Sequence, residues 1–435
     1  MDFYIIGLTT LLGLYMAWNI GANDVANSMA DAVGSNAISI RNAVIAAGIC
    51  EFAGAVLVGA QVTNTIRKGI VDPAVLTSLP GITSQDAAII LVIGMSAALL
   101  SAAFWLHFST MYGMPVSTTH SIVGAVAGFG VVAAGWHAVN WIKMGQIVAS
   151  WFISPVAGGM MAFLLFKYIS GAILGNDRPA RAAIIHIPFI TFLLTVTVLL
   201  ATIYKGLKNV IKDIGWLTDS RALTLSLTAS LLAAVASYFV ARRRLSGREN
   251  RPLGEQLEAV EQMFVPMVVI SSCSVAFAHG ANDVANSVGP LAAIVHILRT
   301  STIDMKVPVP LWILALGGGG IVLGLATYGY KVMMTVGTKI TEITPSRGVA
   351  ADIAATATVL ICTRLSLPVS TTHTLVGAIL GIGLARGLGG INRHIVTSIF
   401  GSWLFTVPAA AIMSAIFFLA GRFFFFDTLR QVIHP

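Results

Sequence analysis

Two polar motifs each occur twice in this sequence, and they carry the residue types best suited to chemistry. The octapeptide GANDVANS runs from Gly21 to Ser28 and returns from Gly280 to Ser287. The hexapeptide PVSTTH begins at Pro115 and again at Pro368. All four copies lie in apolar surroundings, where an aspartate at the centre of a spanning helix costs about 2.5–3.5 kcal/mol. A polar motif repeated in such a place indicates a functional site.

Each octapeptide predicts a helix that breaks at membrane depth. Glycine and the Asn-Asp pair favour turns over helix, and a broken helix is tolerated there only against protein or a water-filled cavity. A break frees carbonyl oxygens, and the aspartates add carboxylates, which together suit a small cation such as sodium. The alternative is a polar contact between helices. The predicted cation ligands are Asp24, Asn27, Asp283 and Asn286.

Each PVSTTH motif predicts a helix that begins inside the membrane, at Ser117 or Thr118 and at Ser370 or Thr371. Proline suits the first turn of a helix, and serine and threonine are favoured caps. A helix start presents free N–H groups and a partial positive charge, so hydroxyls placed there form an anion site without lysine or arginine. The predicted anion ligands are Ser117, Thr118, Thr119, Ser370, Thr371 and Thr372. The GxxxG spacings that follow each motif predict close helix packing.

The sequence leaves more than one possible role for each of four other polar residues. His120 and His373 close the hexapeptides, where they could titrate, donate to an oxyanion, or bond a backbone carbonyl. Glu51 lies in an apolar run, where it could serve as an extra cation or proton site or as a paired structural carboxylate. Arg364 could attract an anion, but its counterpart in the first half is Met111.

The composition predicts an all-α integral membrane protein. Of 435 residues, 56% are hydrophobic and 10% are charged, against about 25% charged in soluble domains. Apolar runs predict about 12 spans, with broken or re-entrant helices at the centre. The three cysteines lie in apolar runs and predict neither disulfides nor a metal cluster. A nucleic-acid partner is disfavoured, because the excess of basic residues fits the cytoplasmic-side bias of membrane proteins.

The repeated motifs divide the chain into two homologous halves. The first repeat covers 1–170, central helices and a loop cover 171–261, and the second repeat covers 262–435. Seven predicted spans precede the second half, and the odd number makes the halves inverted repeats, as in many transporters. The arginine-rich loop 242–261 predicts a cytoplasmic location for itself and an outer location for both termini. A homodimer is compatible with the sequence.

Paired GANDVANS and PVSTTH motifs resemble those of the inorganic phosphate transporter (PiT) family over nearly the whole chain. The resemblance implies a secondary transporter that moves inorganic phosphate with sodium as the coupling ion, without a cofactor. Other members use protons or carry metal–phosphate complexes. The motif match implies that Asn23 and Asn282 join the hydroxyl clusters in binding phosphate, while the aspartates bind cations.

Several rival functions remain at this stage. A sulfate permease and a proton-coupled phosphate transporter are alternatives within the same class. An intramembrane hydrolase built on Ser117, His120 and Asp24 is remote, because serine and histidine three residues apart on one helix start pair poorly. A channel is a further alternative. Saturable uptake would favour a carrier over a channel.

Overall fold

The computed structural model describes residues 2–62, 70–71, 73–77, 81–203, 218–304, 307–365 and 369–433. Within these ranges the chain is built of helices and their connections, as the apolar composition predicts. In chain order they are α1 Asp2–Ile20, α2 Ala26–Ser28, α3 Ala30–Gly34, α4 Ile40–Val62, α5 Pro73–Thr77, α6 Ser84–Met111, α7 Thr118–Ala134, α8 Trp141–Ile169, α9 Pro179–Thr202, α10 Asp219–Leu245, α11 Leu253–Asp283, α12 Ala285–Thr300, α13 Leu311–Tyr328, α14 Tyr330–Met334, α15 Pro345–Arg364, α16 Thr371–Arg386 and α17 Arg393–Ile433.

Nine stretches among the described residues are long and apolar enough to cross a membrane. Three of the roughly 12 spans predicted from sequence are not among them, and these are α7, α15 and α16. At 17 and 16 residues, α7 and α16 rise only about 25 Å, less than the ~30 Å of a hydrocarbon core. The multi-pass helical architecture is confirmed, whereas the count of 12 stays a prediction.

Large apolar side chains cover the outer faces of the long helices. Phe423 and Phe424 on α17 are 83% and 69% exposed, and Ile142 on α8 is 78% exposed. A soluble monomer rarely exposes continuous apolar surface of this kind, whereas lipid tails cover it at no cost. The polar side chains of both octapeptides are instead buried, apart from the half-buried Asn282.

Helices from the two ends of the sequence interleave. Helix α4 packs against α11, and α13 packs against α1. Helix α8 packs against α16, and α17 packs against α7. In each of these pairs, one member precedes the central region 171–261, and the other follows it or, for α11, begins inside it at Leu253 and extends beyond it. The helix starts at the two PVSTTH motifs are therefore each enclosed by a helix from the far end of the chain.

Glycines make these crossings close. A Cβ atom at Gly21 would lie 1.8 Å from the carbonyl oxygen of Ile321, and one at Gly280 would lie 2.2 Å from that of Glu51. The predicted GxxxG contacts are confirmed, because Cβ atoms at Gly128 and Gly381 would lie 2.1 and 2.0 Å from carbonyl oxygens on α17 and α8. Backbone–backbone contact of this kind leaves no room for any side chain.

Candidate functional site

The first octapeptide interrupts α1 without unwinding it. Residues Gly21–Val25 form one turn of π-helix, the short helix Ala26–Ser28 follows, and the chain turns at Met29. Single π-turns inside α-helices concentrate at functional sites. Asn23 and Asp24 on this turn, and Asn27 on the short helix after it, are all buried. The interruption therefore presents three polar side chains to the interior.

The second octapeptide breaks its helix at a single residue. Helix α11 ends at Asp283, Val284 stands between the helices, and α12 begins at Ala285. Val284 keeps helical dihedral angles, with φ −54° and ψ −32°. Both interruptions predicted from sequence are present, and at each of them the chain keeps helical dihedral angles instead of unwinding. The polar side chains of the motifs are the candidate ligands at this site.

The two hydroxyl clusters begin helices where the sequence predicts. Ser117 and Ser370 are the N-caps of α7 and α16, each accepting a 3.3 Å hydrogen bond from the backbone N–H of the histidine three residues on. Thr118 donates to Asp24 Oδ2 at 2.7 Å, and Thr372 donates to Asp24 Oδ1. The starts of both helices therefore converge on one carboxylate of the first octapeptide.

Asparagines three residues beyond each aspartate extend this network. Asn27 Nδ2 lies 3.4 Å from Asp24 Oδ1. Asn286 Nδ2 lies 3.2 Å from Thr118 Oγ1, 3.3 Å from Thr119 Oγ1 and 3.2 Å from Asp283 Oδ1. The structure thus brings all four predicted cation ligands and the threonines of the first cluster together. Their assignment to a cation or an anion remains a prediction.

His279 is the member of the site that the sequence reasoning missed. Its Nε2 lies 2.8 Å from Asp283 Oδ2 and 3.5 Å from Asp24 Oδ2, and its Nδ1 lies 3.3 Å from Glu51 Oε1. The imidazole is 4% exposed and Glu51 is fully buried. Among the alternatives for Glu51, the structure shows a paired carboxylate next to the site. The signal was present in the sequence, since His279 directly precedes the second octapeptide.

These side chains form a pocket of negative charge. Asp24, His279 and Asp283 each offer one ligand atom, and the three atoms lie within 4.8 Å of one another. With Glu51, three carboxylates surround a single imidazole. Buried charges are stable only when they are paired, and carboxylate oxygens are ligands for hard cations. The donor set fits a small cation, and among the described residues one imidazole faces these three carboxylates.

The asparagines at the third position of the octapeptides are placed differently from each other. Asn23 Nδ2 donates to Thr110 Oγ1 and to the Met114 carbonyl, each at 2.9 Å, and Asn23 Oδ1 accepts from the Val116 N–H at 2.9 Å. Asn282 donates to the Ala278 carbonyl of its own helix at 2.6 Å. Asn23 therefore fastens the π-turn to the segment that leads into α7. Its predicted contact with phosphate, like that of Asn282, stays untested.

The two hexapeptide histidines meet behind the hydroxyls. Their rings are edge to face with centroids 4.9 Å apart, and His373 stacks on Trp403 with centroids 3.7 Å apart. Trp403 Nε1 donates to the Pro115 carbonyl at 2.9 Å. This aromatic cluster joins the two helix starts to α17. The side chain of Arg364 lies outside the described residues.

A cavity of about 60 Å³ adjoins the carboxylate network. Its polar wall is formed mainly by Asp24, Asn27, Ser28, His279, Thr371 and Thr372, and the remaining lining, from α9, α11, α15 and α16, is mostly apolar. A space of this size holds a few water molecules or a small ion. The predicted anion ligand Thr371 faces the same cavity as the predicted cation ligands Asp24 and Asn27.

Comparison with known proteins identifies the family. Residues 20–414 match the model of the phosphate transporter family. A Pyrococcus furiosus protein, provisionally named a phosphate permease, is 44% identical over 419 residues, which is 96% of each chain. The inorganic phosphate transporter 2-1 of Arabidopsis thaliana, a chloroplastic protein, is 39% identical over 94% of this chain and 71% of its own.

A solved structure is also similar to this chain over almost its full length. It is described as the sodium-dependent phosphate transporter, and it matches with a TM-score of 0.82 at 40% identity. The match covers 97% of this chain and 100% of that chain. An identity and a coverage this high accompany the paired motifs and the site they build. The chain belongs to the phosphate transporter family.

Proposed function

We propose that this protein is a secondary transporter that carries inorganic phosphate across a membrane together with sodium, by alternating access. One observation carries the proposal: Asp24 accepts hydroxyl donors from Thr118 and Thr372, which stand at the starts of two different helices. The proposed cation ligand Asp24 is thus hydrogen-bonded to both of the helix starts that are proposed to bind the anion. Membership of the phosphate transporter family supports phosphate as the substrate.

The phosphate site in this proposal is formed by the hydroxyl clusters. Helices α7 and α16 direct their N-terminal N–H groups and positive dipole ends towards the network. The ligands would be Ser117, Thr118, Thr119, Ser370, Thr371 and Thr372, with Asn23 and Asn282 behind them. Asn23 would act by holding the segment before α7 in place, since its amide already bonds Thr110, Met114 and Val116.

Coupling follows from the charge of the pocket. A phosphate anion beside Asp24 and Asp283 is repelled until cations occupy the carboxylates. Sodium bound there, with Asn27 and Asn286 as neutral oxygen ligands, would raise phosphate affinity, and phosphate would raise sodium affinity by the same factor. The solved relative described as sodium-dependent supports sodium over other cations. No resident cofactor is part of the proposal.

Alternating access would use the two halves, 1–170 and 262–435, with 171–261 between them. Helices α4 and α8 of the first half pack against helices of the second half, and α13 and α17 of the second half pack against helices of the first. This reciprocal packing supports a pseudo-symmetric arrangement in which one bundle rocks against the other. In this proposal the loop 242–261 is cytoplasmic and both termini are outside. The orientation is tested by cysteine labelling of Arg248→Cys from either side of sealed vesicles.

A second candidate function is proton-coupled phosphate transport, which His279 favours. An imidazole within reach of Asp24, Asp283 and Glu51 offers a group that can carry a proton next to three carboxylates. In that case protons would replace sodium as the species that neutralises the carboxylates. The two candidates differ in which gradient drives uptake.

The deciding experiment measures uptake of labelled phosphate by purified protein in liposomes, with sodium and proton gradients imposed separately. We expect an inward sodium gradient to drive accumulation at equal pH, and excess sulfate to leave it unchanged. Accumulation driven only by a pH gradient would refute sodium coupling. Accumulation that excess sulfate abolishes would refute phosphate selectivity.

Two substitutions assign the site in the same assay. Asp24→Asn should abolish most of the sodium dependence, and Thr118→Val should raise the phosphate concentration for half-maximal uptake about tenfold or more, as expected for one lost hydrogen bond to a charged group. The matched controls are Asp304→Asn, an exposed loop carboxylate that pairs with His296 away from the site, and Thr197→Val, whose hydroxyl bonds its own helix. Normal transport by both site variants at limiting phosphate would disprove the assignment.

A further inference from the structure

A lateral groove on the outer surface lies between residues 4–12 of α1, 92–100 of α6 and 417–429 of α17. Its floor is buried, with Ile93 only 5% exposed, whereas its walls are open, with Tyr4 81% exposed. The groove holds about 520 Å³ and is lined mostly by apolar side chains. A concave surface of this kind contacts a single molecule from several sides, unlike the convex face of a helix.

A polar cavity adjoins the lateral groove at one end. It holds about 590 Å³, and its lining includes Gln85, Asp427 and Arg430. On α17 these two charged residues directly flank Thr428 and Leu429 of the groove. On α6 the polar cavity lies at the start of the helix, and the groove begins about two turns later. Together the two spaces offer an apolar length with a polar mouth.

The length of the groove matches a lipid tail within one leaflet. The groove follows α6 from Val92 to Leu100 and α17 from Phe417 to Leu429. At 1.5 Å per residue these stretches are about 12 and 18 Å long. Half of a ~30 Å hydrocarbon core is about 15 Å. A hydrocarbon tail that lies along the helices would therefore fill the groove while its headgroup reaches the polar cavity.

The charges at the polar mouth favour one kind of headgroup. The side chain of Arg430 is 54% exposed, with Nε 3.5 Å from Asp86 Oδ1, and a guanidinium is well suited to bind phosphate. Asp427 is also exposed and lies one helical turn away on the same face of α17. A phosphate that carries a primary ammonium offers an anion to Arg430 and three N–H donors to Asp427. A choline headgroup has no N–H donor, and a glycerol headgroup has no positive charge.

We propose that the lateral groove and its polar mouth bind a phospholipid with a primary-amine headgroup, with the tail along the groove, the phosphate at Arg430 and the ammonium at Asp427. The bound lipid would join α1, which leads into the first octapeptide, to α6 and α17, which both pack against α7. Helices α1 and α6 precede the central region and α17 follows it, so the lipid bridges the two ends of the chain. The site does not depend on which ion or anion is transported.

The test is native mass spectrometry of the purified full-length protein, titrated with dioleoyl phosphatidylethanolamine, phosphatidylcholine and phosphatidylglycerol. The three lipids share their tails and differ in their headgroups. We expect one phosphatidylethanolamine molecule to bind about tenfold more tightly than either of the other lipids, as one charge-assisted hydrogen bond provides. Equal affinities for the three lipids would overturn the recognition of the amine.

Substitutions in the groove and at the mouth locate the bound lipid. Ser96→Leu fills the groove from α6 and should remove the tightly bound phosphatidylethanolamine, whereas Ser237→Leu should keep it, because both hydroxyls bond their own helices and Ser237 lies on α10. Arg430→Gln and Asp427→Asn should each weaken binding about five- to tenfold. Arg422→Gln is the control, exposed on the same helix and outside the lining of both spaces.

Retention of the lipid by Ser96→Leu would overturn the site, and so would unchanged affinity in both variants at the mouth. The variants at the mouth change exposed side chains, so they keep the test valid if Ser96→Leu fails to fold. Soluble phosphoethanolamine should not displace the lipid at equal concentration, and displacement would show that the groove contributes nothing. If Ser96→Leu converts a dimer into a monomer with lipid binding unchanged, a second copy of the chain covers the groove and the proposal is refuted.

Discussion

A single methyl group at Gly280 should damage the site more than any comparable change on the outer surface. Gly280 lies between His279 and the octapeptide aspartate, where α11 crosses α4. A Cβ atom there would lie 2.2 Å from the backbone oxygen of Glu51, while ordinary van der Waals contacts begin at 3.4 Å. Because the obstacle is backbone, the two helices must separate by about 1 Å to admit an alanine.

The magnitude follows from two opposing effects. Overpacking of this kind costs about 1–3 kcal/mol, and the upper end applies because Gly54 makes the reciprocal contact with the Phe277 oxygen. Alanine recovers about 1 kcal/mol of helix propensity relative to glycine. We therefore expect Gly280→Ala to be destabilised by about 2 kcal/mol. The same separation would lengthen the 3.3 Å contact of His279 with Glu51 beyond ion-pair range.

The assay compares Gly280→Ala with Gly319→Ala. Gly319 is also within a spanning helix, but a Cβ atom there would meet nothing within 4 Å. Thermal unfolding in detergent should show a lower midpoint for Gly280→Ala and an unchanged or raised one for Gly319→Ala. Phosphate uptake should fall about 10- to 100-fold in Gly280→Ala, the range expected when a reacting or binding group is displaced by about 1 Å. Equal stability and equal uptake of the two variants would refute the close-crossing argument.

Three further predictions concern single side chains. Asn23→Leu should lower the free energy of unfolding by about 2–4 kcal/mol, because it leaves the Val116 N–H unpaired. Asn282→Leu is the control and should lower it far less, since Asn282 bonds its own helix. Equal midpoints of the two variants in thermal unfolding would contradict this prediction. His279→Gln should reduce phosphate uptake at least tenfold while the protein still elutes as a folded species, and uptake at the normal rate would exclude His279 from the site. Trp403→Phe removes one hydrogen bond to the segment before α7 and should cost about 1 kcal/mol, measured by the same unfolding assay with Trp141→Phe as an exposed control.

Local chemistry allowed much of the fold to be predicted from the sequence. The serines and threonines after each Pro-Val pair cap helices, and α7 and α16 begin at Thr118 and Thr371 as the motif indicates. The GxxxG spacings predicted close packing correctly. The helices that they pack against, α17 and α8, could not be predicted, because local residue spacing carries no information about contacts between residues hundreds of positions apart. The backbone at the octapeptides also differed, because one π-turn or a one-residue break suffices where unwinding was expected.

Identical octapeptides have different surroundings in the folded protein. Asn23 bonds three backbone and side-chain groups before α7, while Asn282, among the residues that the structure describes, donates to the Ala278 carbonyl of its own helix. Asp24 receives both threonine hydroxyls, while Asp283 receives Asn286 and the imidazole. Sequence identity therefore predicted which residues assemble, but it could not predict which of two equal residues takes which partner in one conformation.

The differences between the halves locate the missed part of the site. His279 corresponds to Ile20, and Glu51 corresponds to Ile321, so both departures from the repeat replace a buried apolar residue with an ionisable one. A lone buried charge is costly and a facing partner offsets that cost, so two such departures in one protein are expected to meet. They do meet, with Nδ1 of the imidazole 3.3 Å from the carboxylate, at the crossing of α4 and α11. In a duplicated membrane protein, the residues that break the repeat are consequently as informative about the site as those that keep it.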